Sequence, residues 1–315
     1  MSSTTFIHTK SFKIGSKVIV GLIIFYILVI QVMNDDLESH SQIFASKSFS
    51  EVIGILIVLG IGMLINWGVE ALKWMLVVQK ATEVSFTQAY KAVLVGNTYG
   101  IFTPNRVGEI IGRVFFIKSY NKSRIGLLTL AGSASMTMGG MVITCLSLHY
   151  FLEDSSLKIF YLIGAWLGLS LIFYFYLNMY NILKRIVRFK WWKKYADYAS
   201  TLKLLSTFDL IAYVLLSISR YSIFVIQYYI FLQFFVPDIS IPGVASNMSL
   251  IFFIQSCVPT PVVIELGIRG NLAVLFLADL VNGNTLLITS VAYMIWFINM
   301  LVPALIGYIF VLRKK

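Results

Sequence analysis

Apolar runs at residues 18–33, 52–78, 125–151, 157–177, 210–236 and 285–312 alternate along the chain with short polar segments. A helix of about 20 apolar residues crosses the roughly 30 Å hydrocarbon core of a bilayer, so the pattern predicts about six transmembrane helices. Two further apolar regions, 92–117 and 244–279, are interrupted in the middle. The first reads NTYGIFTPNRVGEIIGR across its break, placed at residues 97–104. Thr103-Pro104 predicts a helix start there, since Thr caps the first free amides and Pro loses no hydrogen bond at the first helical position. The second region breaks at Val258-Pro259-Thr260-Pro261, again with Thr-Pro opening a helix.

The polar positions inside these stretches are the anomaly. On a helix Arg106, Glu109 and Arg113 share one face, with Glu109 in reach of both guanidiniums. Glu265 and Arg269 repeat the arrangement four residues apart. Arg220 falls about ten residues into its span, near the midplane and too deep to snorkel, and Glu70 pairs with Lys73 one turn from the inner end of another span. Each such residue costs about 2.5–3.5 kcal/mol at the centre of a lipid-facing helix, so the expected surroundings are a protein cavity or water pocket. Gly108 and Gly112, four apart, predict close approach to a neighbouring helix.

Flanking charge gives the topology. Lys10, Lys13 and Lys17 precede the first run and no small-x-small cleavage pattern follows it, which predicts an uncleaved first span with a cytoplasmic N-terminus. Arg313-Lys314-Lys315 place the C-terminus on the same side. Basic residues bracket 92–117 at both ends, so it enters from the cytoplasm and returns, whereas 244–279 enters from outside. Thr-Pro-x4-Glu-x3-Arg at Thr103 to Arg113 and Thr-Pro-x3-Glu-x3-Arg at Thr260 to Arg269 then make an inverted-topology repeat of re-entrant helix pairs. Residues 181–208, dense in Lys, Arg and Trp, predict a basic amphipathic helix on the cytoplasmic surface.

Composition sharpens this to an all-α polytopic membrane protein with a single membrane domain, 1–315. Apolar residues make up 58% and charged residues 12%, with a mean hydropathy of +0.84. The net charge of +11 gathers at span ends, where it reads as topology signal and headgroup contact rather than nucleic-acid binding. Cys145 and Cys257 lie in apolar stretches, and His8, His40 and His149 lie far apart. No HExxH, CxxC or GxSxG pattern occurs, so neither a metal site nor a cofactor is expected and hydrolase readings lose their support.

An electropositive site at membrane depth suits an anion that is itself anchored in the membrane. A phospholipid brings its phosphate to Arg106, Arg113, Arg269 and Arg220 while its chains stay in hydrocarbon. Glu109 and Glu265 would keep that phosphate releasable and could read an amine on the headgroup. The pattern TPNRVGEIIGR, with a second proline-centred motif ending GIRGN, resembles the lysylphosphatidylglycerol synthase transmembrane region. The resemblance rests on Pro104, Arg106, Gly108, Glu109 and Arg113, and on Pro261, Gly267 and Arg269. It implies paired re-entrant helices that translocate lipids, classically aminoacylated phosphatidylglycerol, between leaflets of the cytoplasmic (inner) membrane. Gly270 stands where that family usually has a glutamate after the arginine, and the longest loop is too short for a soluble synthase domain, which argues against an enzyme. No nucleotide-binding motif is present, so movement is expected to be downhill or coupled to an ion through Glu109 or Glu265. Two alternatives stand beside it: a membrane transferase on lipid or polyprenyl-phosphate headgroups with Glu109 or Glu265 as base, and a scaffold for a separate soluble lipid-modifying enzyme docked on residues 184–203.

Overall fold

Ser48 opens the first described helix, α1 (Phe49–Val78), through a capping box in which its backbone amide donates to Glu51 Oε2 at 2.8 Å and its hydroxyl accepts from the Glu51 amide. The computed structural model describes residues 46–313 apart from 102, 104–105, 118–120, 153–155, 189–195 and 259–261. The predicted first span at 18–33 and the motif residues Pro104, Thr260 and Pro261 lie outside the described residues.

All elements among the described residues are helical. α2 (Phe86–Ile101) and α3 (Gly108–Phe116) form the first interrupted region, followed by α4 (Lys122–Phe151) and α5 (Lys158–Leu177). Two short helices, α6 (Met179–Ile186) and α7 (Ala196–Leu202), lead to α8 (Thr207–Phe235). The second interrupted region is α9 (Ile241–Cys257) and α10 (Val262–Leu277), and the chain ends with α11 (Thr285–Trp296), a π-helical turn (Phe297–Leu301) and α12 (Val302–Arg313). Five stretches are long and apolar enough to cross a membrane: α1, α4, α5, α8 and the continuous Thr285–Arg313. The chain is a multi-pass membrane protein of all-α fold.

Several boundaries differ from the sequence reading. Helix begins ahead of the apolar region 92–117, since α2 starts at Phe86, where Ser85 and Gln88 exchange side-chain caps. Within the basic connection at 181–208, α6 runs to Ile186 and α7 covers Ala196–Leu202, and residues 189–195 between them lie outside the described residues. α2 and α9–α10 hold 16 or 17 residues each and α3 holds 9. At about 1.5 Å per residue none of them crosses 30 Å alone.

Trp67 and Trp74 of α1 are fully buried and fasten it to its neighbours, their indoles donating to the Asn299 carbonyl at 2.9 Å and to Thr129 Oγ1 at 3.0 Å. The C-terminal end of α1 is tied to the start of α8 by Lys80 and Asp209, 2.8 Å apart. In contrast α5 buries Leu169 and Tyr176 and leaves Ile159 and Phe160 73% exposed, as a helix against lipid does. α12 packs so closely on α2 that a Cβ at Gly307 would lie 2.2 Å from the Leu94 carbonyl oxygen. Thr98 bridges the same contact, donating to the Ala304 carbonyl at 2.7 Å. Gly307→Ala should therefore destabilise by about 1–3 kcal/mol through overpacking, read as a lower thermal midpoint of the purified protein. An unchanged midpoint would mean that the two helices separate freely.

Candidate functional site

The break between α2 and α3 is built around Thr103 and two glycines. The sequence placed the break at 97–104 and a helix start at Thr103-Pro104. Instead α2 continues through Asn97 to Ile101 and α3 begins at Gly108. Thr103 Oγ1 accepts from the Gly108 amide at 2.8 Å and donates back to the Tyr99 and Gly100 carbonyls at 3.3 and 3.2 Å. One hydroxyl thus holds the end of one helix and the start of the next. The chain then folds back on itself: a Cβ at Gly108 would lie 2.2 Å from the Tyr99 carbonyl oxygen, and one at Gly112 2.9 Å from the Gly96 Cα.

That hairpin aims Arg106, Glu109 and Arg113 inward. Arg106 sits before α3 rather than on its face, in the left-handed backbone region with φ of 55°. An arginine held there carries strain of about 1–3 kcal/mol, which its surroundings must offset. Its Nη2 donates to Asn97 Oδ1 at 2.6 Å and pairs with Glu109, and its Nη1 rests 3.2 Å from Met300 Sδ. Arg113, 3% exposed, donates to Glu109 Oε2 at 3.2 Å.

Glu70 is the centre of the cluster. Its Oε1 accepts from Arg113 Nη1 at 2.7 Å, and its Oε2 from Arg220 Nη1 at 2.8 Å and from Lys73 Nζ at 2.9 Å. The Glu70–Lys73 pair is therefore part of a three-helix network. Arg220 is further held by Asn66 Oδ1, 2.7 Å from its Nε, and by the Trp67 ring, 4.9 Å from its guanidinium carbon. Lys73 donates to Ser217 Oγ at 3.2 Å. Removing charges from water costs several kcal/mol each, and such a cluster persists only when every charge meets opposite charge and hydrogen bonds.

The second interrupted region adds Glu265 and Arg269, 3.1 Å apart, with the Arg269 guanidinium 5.7 Å from the Phe252 ring centre. Gly267, between them, accepts from Asn271 Nδ2 at 2.9 Å. The π-helical turn closes the site from the opposite side. Widening the helix frees carbonyls: Trp67 takes that of Asn299, and Asn97 Nδ2 takes that of Met300 at 2.8 Å. Asn97 therefore joins the π turn to Arg106.

All six residues expected to form the site, Arg106, Glu109, Arg113, Arg220, Glu265 and Arg269, line one cavity of about 510 Å³, together with Glu70 and Lys73. Five cations and three carboxylates give it a formal net charge of +2. The rest of its lining combines apolar side chains, among them Met136, Met141, Phe224, Phe253 and Val258, with polar ones such as Ser133, Thr137, Gln255, Ser256 and Asn299. Several buried atoms of its lining residues have no hydrogen-bond partner among the described residues: Nε of Arg106, Arg113 and Arg269, Gln255 Nε2, Trp296 Nε1 and Asn299 Oδ1. An orphaned buried donor costs about 1–3 kcal/mol, so each of these atoms is a position that a bound water or ligand would satisfy. Asn66, Asn97, Gln255 and Trp296 carry no role in the sequence analysis; the available signal was an amide or indole in an otherwise apolar helix. Among the described residues no group of three His, Cys, Asp or Glu could hold a metal ion.

No curated protein matches the chain. Residues 17–307, nearly its whole length, match the family described as the lysylphosphatidylglycerol synthase TM region. A multi-pass helical protein with a charged cavity between its helices, matching that profile over residues 17–307, belongs to the lysylphosphatidylglycerol synthase transmembrane-region family, which is associated with lipid handling.

Proposed function

We propose that the chain is a flippase-like translocase that moves an anionic or aminoacylated phospholipid between the leaflets of the cytoplasmic membrane, with both termini in the cytoplasm. In this reading α2–α3 and α9–α10 are re-entrant pairs from opposite leaflets, and the lipid headgroup binds through Arg106, Arg113, Arg220 and Arg269. The observation that carries it is a net-positive cavity lined both by guanidinium groups with donors unpartnered among the described residues and by apolar side chains. A headgroup satisfies the first and an acyl chain the second. Glu109 and Glu265 are each held by arginine, which suits a counter-charge that eases release better than a free catalytic base.

Transbilayer movement of fluorescent anionic, zwitterionic and polyprenyl-phosphate lipids in proteoliposomes tests this. Arg113→Ala removes a charged hydrogen-bonding group worth about 1.5–3 kcal/mol, so the rate should fall about 10- to 100-fold. Glu109→Gln should slow movement while retaining binding. Lipid movement unchanged in both variants would show that the site assignment is wrong. Product formed from lipid and an acyl or glycosyl donor would support the transferase reading in its place.

A further inference from the structure

We propose that the cavity selects a lipid whose head ends in a phosphate monoester, a dianion, over lipids joined through a phosphodiester or carrying an amine. This narrows the translocation reading by naming the headgroup, and it concerns recognition rather than movement.

Charge is the first argument. The five lining cations are Lys73, Arg106, Arg113, Arg220 and Arg269, and the three carboxylates are Glu70, Glu109 and Glu265, for a formal +2. A phosphodiester brings one negative charge and leaves the buried site at +1. An aminoacyl group with its ammonium makes the imbalance larger. A phosphate monoester, with a charge near −2 above its second pKa of about 6, brings the sum to zero. Uncompensated charge is disfavoured where burial limits hydration, so this difference separates the headgroups.

Hydrogen-bond capacity gives the same answer independently. Among the described residues, five buried donor nitrogens of the lining, on Arg106, Arg113, Arg269, Gln255 and Trp296, have no hydrogen-bond partner, against one such acceptor, Asn299 Oδ1. A ligand rich in acceptors suits that balance. A terminal phosphate offers three free oxygens, a diester two. An ammonium would add donors and would find every carboxylate engaged: Glu70 by three cations, Glu109 by two arginines and Glu265 by Arg269. The apolar wall of Met136, Met141, Phe224, Phe253 and Val258 then favours a chain-bearing monoester over free phosphate.

The experiment is equilibrium binding to the purified full chain in neutral phosphatidylcholine nanodiscs. The probes are chain-matched phosphatidic acid, phosphatidylglycerol and lysyl-phosphatidylglycerol, with inorganic phosphate as a separate arm. At about pH 8 phosphatidic acid should bind at least about tenfold more tightly than phosphatidylglycerol, and the advantage should shrink at about pH 5 as the monoester gains a proton. Gln255→Leu, which removes one donor and no charge, should weaken phosphatidic acid by about fivefold, more than it weakens the diester. Equal or tighter binding of phosphatidylglycerol or its lysyl form at the higher pH would overturn the proposal. So would free phosphate binding as tightly as phosphatidic acid, which would make this a soluble-anion site. Monoester preference without transbilayer movement would keep this inference and remove the translocase reading; movement of diester lipids without monoester preference would do the reverse.

Discussion

Glu70→Ala is expected to lower the stability of the folded protein by about 3–5 kcal/mol, the usual cost of breaking a buried ion pair from one side. Glu70 is 4% exposed and accepts hydrogen bonds from Lys73, Arg113 and Arg220 within 2.9 Å. Without it those cations face one another. Arg113 keeps its ion pair with Glu109, and Arg220 keeps its hydrogen bond to Asn66 and its contact with the Trp67 ring. The measurement is thermal unfolding in detergent, with and without an anionic lipid. Because the variant leaves extra positive charge, anionic lipid should raise its midpoint more than that of the wild type. Replacing Glu70 and Arg220 together by Leu and Met should recover part of the loss, since packed apolar groups can stand in for an ion pair. A midpoint for Glu70→Ala equal to that of the wild type would mean that the cluster is hydrated and contributes little.

The second large effect is expected at Gly108. An alanine Cβ there would sit 2.2 Å from the Tyr99 carbonyl oxygen and 2.7 Å from Thr103 Oγ1. The first of these contacts is backbone and cannot turn aside, so α3 must move away from α2. Arg106, Glu109 and Arg113 move with it, and displacement of binding groups by about 1 Å can cost about 100-fold in rate. Gly108→Ala should therefore abolish lipid movement while the outer helices remain folded, as read by circular dichroism beside the proteoliposome assay. Full activity would show that the hairpin is not held rigidly.

The two interrupted regions were legible because proline and threonine punctuate helices locally, yet the first break was read several residues early. Thr103 is a cap, but its hydroxyl serves the amide of Gly108, five residues on, through a fold of the chain rather than the next turn. Local rules see a cap residue and not the distance to its partner. The Glu265–Arg269 and Glu109–Arg113 pairs were equally legible, since helical spacing alone brings i and i+4 together.

Glu70 shows where that reasoning stops. Its partner Lys73, at i+3, could be read from the helix, whereas Arg113 and Arg220, 43 and 150 residues away, could not. Nor does any local pattern announce the π turn, whose freed carbonyls reach Trp67 and Asn97.

The sequence by itself determined the helices, the membrane setting and which charged residues needed an explanation, because hydropathy and 3.6-residue periodicity act over neighbouring positions. The tertiary structure decided that all of those charges share one cavity, that Glu70 pairs with three of the cations, and that particular donor atoms have no partner among the described residues. Those are properties of contacts between segments far apart in the chain, fixed by how closely Gly108 and Gly307 let the helices approach and by the cost of leaving any buried charge alone.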